Sequence, residues 1–425
     1  MRKVVIIGGG AAGLAAAYAA SLNSCEVILV EKNEKLGKKI YITGKGRCNV
    51  TNALPIDEFL DKIISNPKFT YSIFSEFDNN DLIEFLENNG CKTKIERGNR
   101  VFPVSDHASS VTRAFEKALE KNGVEVLLKT EVRGINVKPF LSDEPKSKKN
   151  SKIYSVSLSN GDEIECDAII IATGGLSYPT TGSTGDGYKW AEGLGHKVTS
   201  LRPSLVPLIL KEDVSALEGL SLRNVELSIT YRKKKTYLDR GEMVFTADGI
   251  SGPLCLSASA IIGKDLEKTG ELPGYIDLKP ALDFDTLEKR ILREFEERKN
   301  ADLKNVLGAL LPSKLIPVFI RSLGVSSDLK VHDVTKEVRK SIVNNMKRFE
   351  ITVCDLGKYN QAVVTQGGVS VKDINSKTME SKFVDGLYFA GEVIDVDCFT
   401  GGFNLQFAFS SGYVAGKMAS DFVEE

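Results

Sequence analysis

Charge of one sign, long apolar runs and paired cysteines are all scarce in this chain. Its 425 residues carry 56 basic and 57 acidic side chains, so no net field recruits nucleic acid or an anionic membrane. No apolar run reaches the roughly 20 residues that a membrane-spanning helix needs. The seven cysteines are odd in number and nowhere spaced C-x-x-C. That excludes a disulfide framework, a zinc knuckle and a thioredoxin-like redox pair, and no metal site is expected. The expected compartment is a reducing cytoplasm. What remains is a globular composition, 42% hydrophobic and 27% charged, long enough for two or three domains.

The most informative stretch is KVVIIGGGAAGLAAAYAASLNSCEVILVEK, residues 3–32. Val4 to Ile7 is a β-branched run of buried-strand length, and Val27 to Val30 is a second. Between them stand Gly8, Gly10 and Gly13 and an alanine-rich helical pattern. Gly8 lets the chain turn out of the strand, Gly10 has no Cβ to block a pyrophosphate, and Gly13 lets helix and sheet approach. The helix N-terminus adds free N–H groups and partial positive charge. Glu31, eighteen residues past Gly13, is placed to accept hydrogen bonds from a ribose. Met1-Arg2-Lys3 followed by apolar residues also has the outline of a secretory signal. The glycine triplet would interrupt its apolar region, and Glu31 would have no role. The stretch therefore reads as a dinucleotide-binding βαβ unit.

The loop GKKIYITGKGRCNVTN, Gly37 to Asn52, leaves the second strand over the carboxyl edge of the sheet, where a dinucleotide lies. Arg47 is placed there to pair with phosphate, and Asn49, Thr51 and Asn52 to hydrogen-bond cofactor hydroxyls. Short helices are expected over residues 57–89 and a clearer one from His107 to Lys121, then a strand from Val124 to Leu128. Strand and helix alternation of this kind gives a parallel sheet. An antiparallel excursion spans residues 131–166, with the polar tract Ser142 to Ser151 as its loop, and Val132 offers its backbone to an adenine. Ala168 to Ala172 is a buried strand that breaks at Thr173 and Gly174. From Lys197 to Leu278 short β runs predict a small antiparallel barrel or sandwich. Within it, residues 241–259 hold too many small residues for plain barrel sequence. Asp285 to Met346 is helical, and the basic run Arg232 to Lys235 is a hairpin tip. Residues 386–393 form a final strand, and Gly401 and Gly402 precede a helix starting near Asn404 whose N-terminus can stabilise negative charge.

Five segments taken together, TGKGRCNVTN, IIATGG, GEMVFTADGISGP, TQGGVSVKDINSKTMESK and GLYFAGEVIDVDCFTGGFNLQ, carry a resemblance across the whole chain. They are similar to the aminoacetone-oxidase/BaiN-like family of FAD-dependent flavoproteins. The resemblance implies an α/β fold: a glutathione-reductase-like FAD-binding Rossmann domain with an inserted β-barrel domain that carries a helical subdomain. The corresponding boundaries are 1–196 and 362–425 for the FAD domain, 197–283 with the return strand 348–361 for the barrel, and 284–347 for the helices. It also implies that FAD rests on Gly8, Gly10, Ala11, Ala12, Gly13, Glu31 and Lys32, then on Gly46, Arg47, Cys48, Asn49, Thr51 and Asn52. Further contacts are Val132, Ala172, Thr173, Gly174, Gly391 and Glu392, and last Gly402, Asn404, Leu405 and Gln406. Three positions depart from the family pattern. Lys45 and Cys398 stand where it has glycine, and Ala247 where it has histidine.

The expected function is that of an FAD-dependent oxidoreductase moving hydride between flavin N5 and a small organic substrate or NAD(P)H. NAD(P)H is a transient donor in this reading, because no second G-x-G-x-x-G lies between a strand and a helix. The alternatives are a flavin-dependent amine oxidase using oxygen and a flavin-dependent RNA-modifying enzyme. Balanced charge weighs against RNA. The expected partner is a small-molecule substrate, with neither nucleic acid nor membrane. No residue is assigned as catalytic acid or base.

Overall fold

Strand β1 (Arg2–Ile7) buries Val4, Val5, Ile6 and Ile7, a continuous apolar run suited to a strand covered on both faces. It leads into α1 (Ala11–Ala20), in which alanine supplies both helix propensity and small bulk. The computed structural model describes residues 1–140, 149–232 and 234–421. The expected loop 142–151 and basic hairpin tip 232–235 therefore lie partly outside the described residues. After α1 come β2 (Cys25–Val30), α2 (Ser109–Lys121), β3 (Glu125–Leu127), β4 (Ala168–Ile171) and α3 (Asp186–Gly193). The chain then leaves for a second unit of strands and helices.

That unit holds β5 (Leu208–Leu210), β6 (Ser221–Tyr231), β7 (Lys234–Phe245), β8 (Gly249–Ser251), α4 (Pro253–Thr269) and β9 (Leu272–Asp277). It continues through α5 (Phe284–Glu297), α6 (Lys336–Lys347) and β10 (Phe349–Leu356). The six strands form a closed antiparallel barrel in the order β5-β8-β7-β6-β9-β10. The expected small barrel is present, but it includes a helix that strand-length reasoning did not foresee. Residues 253–269 form α4, whose Leu254, Cys255, Ala258, Ile262 and Leu266 join the barrel core. Helices α5 and α6 share that core through Leu287, Ile291, Ile342 and Met346. Lys347 reaches Asp277 at 2.6 Å, with both side chains 9% exposed. It also donates to the Leu282 and Lys279 carbonyls, as a buried charge requires.

The chain returns to the first unit for β11 (Leu387–Phe389) and α7 (Phe403–Ser420). The parallel sheet runs β11-β4-β1-β2-β3. The two compact units are Met1–Pro203 with Tyr359–Glu425, and Ser204–Lys358. The junctions thus fall at 203/204 and 358/359, where composition had put them at 196/197 and 361/362. The reason is backbone pairing. Val198 bridges Val369, Ser370 donates to the Lys197 carbonyl, and Tyr178 donates to the Tyr359 carbonyl. Among the described residues, no helix is long and apolar enough to cross a membrane.

α1 and α7 meet backbone to backbone. A Cβ on Gly412 would sit 2.1 Å from the Ala12 carbonyl oxygen, and one on Gly416 would sit 2.1 Å from that of Ala16. This contact brings together the two ends of the first unit. Gly412→Val should destabilise the protein by about 3 kcal/mol or more, since the facing atoms are backbone and cannot repack. Chemical denaturation of the variant measures it.

His196 is buried, with Nδ1 3.2 Å from the Ala191 carbonyl and Nε2 2.7 Å from Ser381 Oγ. Ser381 Oγ accepts from the Phe383 and Val384 amides, so its own proton goes to Nε2 and the imidazole is neutral. Burial pushes the pKa of His196 down. The unfolded chain, with an ordinary value near 6.5, therefore protonates first as pH falls. Stability from this site is complete above that value and is lost on acidification toward the depressed folded pKa. His196→Gln should accordingly show a smaller loss of thermal midpoint than the parent between pH 7.5 and 5.5.

Candidate functional site

A cleft opens over the carboxyl ends of the parallel strands. Its walls come from the ends of β1 (Ile7, Gly8), β2 (Val30, Glu31), β4 (Ala172, Thr173) and β11 (Ala390). It sits at the switch point where the chain order passes from β1 toward β2 on one side and β4 on the other. Two helix N-termini face it. Neither Gly10, the N-cap of α1, nor Gly402, the N-cap of α7, provides a side-chain cap, and neither first turn holds an acidic residue. Both helices therefore present free N–H groups and positive dipole ends. Because Gly412 faces Ala12 and Gly416 faces Ala16, the helices are parallel. From that register α7 starts about eight residues ahead of α1, which is ~12 Å along their common direction. The cleft thus offers two separated places for negative charge, suited to an elongated ligand.

The glycines of the fingerprint divide by role. A Cβ on Gly10 meets nothing within 4 Å, whereas one on Gly13 would lie 1.8 Å from the Gly8 carbonyl oxygen. Gly10 keeps space for ligand; Gly13 keeps helix against strand. Glu31 Oε2 accepts the Gly9 amide at 2.7 Å, and Oε1 accepts the Asn33 amide and Nδ2 at 2.8 and 2.7 Å. A carboxylate has about four acceptor positions, so one remains for a ribose hydroxyl. Thr173 Oγ1 is buried without a hydrogen-bond partner among the described residues.

Three lysines line the cleft, and each is held by an acid. Lys32 meets Asp186 at 2.7 Å and Thr184 at 2.6 Å, Lys38 meets Glu34 at 3.2 Å, and Lys39 meets Glu392 at 2.6 Å. Burial works against the charged form of Asp186, but Lys32 and Thr184 outweigh it and hold its carboxyl below the usual range. With its lysines neutralised, the cleft can meet a pyrophosphate with backbone N–H groups at α1.

Of the residues expected to touch the cofactor, Gly8, Gly10, Ala11, Ala12, Glu31, Lys32, Val132, Ala172, Thr173, Gly174, Glu392, Asn404 and Leu405 line this cleft. The others do not. Gly391 packs where α1 and α7 meet, its missing Cβ 2.7 Å from that of Ala12, and Gly402 lies against the Thr51 backbone. Cys48 is fully buried, which pushes its thiol up to about 12. Asn52 donates to the Gly98 and Gly401 carbonyls, while Asn49 Oδ1 and Thr51 Oγ1 are buried with no partner among the described residues. Gly46 accepts the Ala108 amide at its carbonyl.

Arg47, expected to meet phosphate, instead pairs with Glu96 and with Asp106 at 2.5 Å. That guanidinium holds the Glu96 carboxyl below its ordinary range; Lys94 and then Arg47 do the same for Asp106. The Asn404 side chain accepts the Cys398 amide and donates to the Cys398 carbonyl, tying the preceding turn to α7. Gln406 donates to the Asp78 carbonyl and to Ser410. The loop reaches the cleft through Lys38, Lys39, Ile40 and Thr43 instead; the partners of Lys39, Ser177 and Glu392, lie far along the chain, whereas those of Lys38 and Thr43 are local. Lys45 sits at φ 58, a left-handed conformation that favours glycine.

The two glycines give a paired test. Gly10→Ala should fold with an unchanged thermal midpoint for the apoprotein yet bind FAD about tenfold more weakly, a loss of ~1.4 kcal/mol. Gly13→Ala should lower the midpoint itself. Flavin fluorescence titration and thermal unfolding separate the two.

Comparison with known proteins agrees with this arrangement. Residues 2–418 match the model of the HI0933-like protein Rossmann domain. The chain is 30% identical over 428 residues to a 3-dehydro-bile acid delta(4,6)-reductase of Clostridium scindens, covering 99% of this chain and 100% of that one. It is 33% identical over 417 residues to a ribosomal RNA dihydrouridine synthase of Haemophilus influenzae, covering 98% of each. A 3-ketosteroid delta1-dehydrogenase of Sterolibacterium denitrificans shares the fold with a TM-score of 0.54 at 12% identity, covering 99% of this chain and 100% of that one. The resemblance drawn from the five sequence segments is thereby borne out. This chain belongs to the HI0933-like family of FAD-binding Rossmann proteins and is an FAD-dependent oxidoreductase.

Proposed function

We propose that the protein saturates a carbon–carbon double bond conjugated to a carbonyl, with NAD(P)H as the electron donor. The observation that carries this reading is a shared operation. One relative's name describes reduction of the 4,6 unsaturation of a 3-dehydro-bile acid, and the other's describes making dihydrouridine. Each is addition of two hydrogens to a double bond in conjugation with a carbonyl. The β-carbon takes the hydride that NAD(P)H gives up, and the α-carbon takes a proton that comes from solvent. Flavin, when bound in the cleft, would supply the hydride-carrying chemistry.

The chain binds and orients. The N–H groups of Ala11 and Ala12 would hold the pyrophosphate, and the remaining acceptor position of Glu31 would take a ribose hydroxyl. The N–H groups of Asn404 and Leu405, in the uncapped first turn of α7, would favour the negative charge that an electron-accepting ring in the cleft gains. Val363, Val364, Val396 and Leu405 wall the cleft and keep water from that charge. A small conjugated ketone is the favoured substrate, because near-equal basic and acidic content gives no general affinity for RNA. Uridine in ribosomal RNA is the second reading, supported by the 33% identical relative.

The purified protein should be yellow, and anaerobic NADPH or NADH should bleach it. A 3-oxo-4-ene steroid should then restore the colour with one equivalent of saturated ketone formed, faster than air does. Bleaching by neither nucleotide, or recovery in air alone, overturns the reading. Mass spectrometry of ribosomal RNA from cells lacking the gene decides the second: loss of one dihydrouridine supports it, and an unchanged content removes it.

A further inference from the structure

The pair Lys39–Glu392 is built with more care than the other two lysine–acid pairs of the cleft. Its side chains are 24% and 18% exposed, against 28% and 27% for Lys32–Asp186 and 30% and 54% for Lys38–Glu34. Glu392 Oε2 takes the Lys39 ammonium, while Oε1 accepts the Thr365 amide at 2.8 Å and the Ser177 hydroxyl at 2.7 Å. Lys39 also donates to Ser177 Oγ at 2.5 Å. Thr365 Oγ1 in turn accepts the Leu176 and Ser177 amides. Even Gly175 serves the arrangement, since a Cβ there would come within 2.8 Å of Glu392 Oε1 and 2.5 Å of Thr365 Oγ1. Four segments of the first unit thus converge to fix one cation and one anion in the cleft wall. Glu392 follows Gly391, which packs against Ala12 of α1 and Ala408 of α7, and both members of the pair line the cleft.

We infer that the Lys39–Glu392 pair sets the reduction potential of the bound flavin. Reduction adds electrons to the ligand, so a nearby cation favours the reduced form and a nearby anion the oxidised form. Partial burial weakens the solvent screening of both charges. Held together, the two nearly cancel. Removing one leaves the other uncompensated, and the sign of the shift identifies which. Lys39 and Glu392 are positioning residues in this role, and no proton or bond changes hands between them. The inference rests on flavin in this cleft and is independent of the substrate proposed above.

The test is the two-electron midpoint potential, read against a reference dye, for Lys39→Met and Glu392→Gln. Lys39→Met should move the equilibrium about tenfold toward the oxidised form, equal to ~30 mV lower for a two-electron couple. Glu392→Gln should move it by a similar amount the other way, and Lys39→Arg should restore the parent potential. Opposite shifts are the signature, because a merely loosened cleft would move both variants in one direction. Shifts of the same sign, or none in yellow protein, overturn the inference. If Lys39→Met does not hold flavin, Glu392→Gln alone must show the rise. Loss of flavin from both variants also overturns it, since the pair would then be holding the cofactor and not tuning it. A parent protein that is itself colourless and takes up no FAD would instead sink the cofactor assignment.

Discussion

Everything in the first unit depends on two glycines lying against two carbonyl oxygens. Where Gly412 meets Ala12 and Gly416 meets Ala16, no side chain separates the first helix of the chain from the last. The geometry of the cleft follows from that contact. It makes α1 and α7 parallel, fixes their offset, and aims both N-termini over the same sheet edge. Alanine-rich sequence in α1 is the complement, since larger side chains would push α7 away and separate the two binding points. Gly391 sits at the same crossing, so the strand that ends there and the turn carrying Glu392 are located by it too.

The charge plan is equally economical. Free lysines would suit a doubly charged pyrophosphate, yet Lys32, Lys38 and Lys39 are each matched by a carboxylate. Attraction falls to backbone dipoles, which cannot swing away and need no desolvation of a flexible ammonium. Fixed dipoles also leave the electrostatics of the cleft to a few well-anchored pairs.

Much of this was legible in the sequence where it depends on local pattern. The β1-α1-β2 unit declared itself through strand-length β-branched runs, three glycines and a closing acid, and the helical and β-rich stretches of the second unit through periodicity and turns. The helix Pro253–Thr269 escaped because its first eleven residues, Pro253 to Gly263, hold no charged side chain to set its period, and its charges, Lys264, Asp265, Glu267 and Lys268, come only near its end. Side-chain roles at the site were harder. Arg47, Asn404 and Gln406 looked free to reach a ligand, but Glu96, Asp106, Cys398 and Asp78 claim them. A pairing partner brought in from another segment leaves no mark on the residue's own neighbourhood. Lys39 is the converse case: its acid is more than 350 positions away, and nothing nearby announces it.

The parallel docking of the last helix on the first has a consequence for biosynthesis. Residues 11–20 leave the ribosome long before residues 403–420 exist, and the barrel and its helices are made in between. During that interval the alanine surface of the first helix lacks its partner, and the nucleotide end of the groove is half-walled. The cleft is therefore complete only once the segment holding α7 has been made. A nascent chain that ends before residue 403 lacks the second helix N-terminus and the wall that Asn404, Leu405, Phe407 and Ala408 give the cleft.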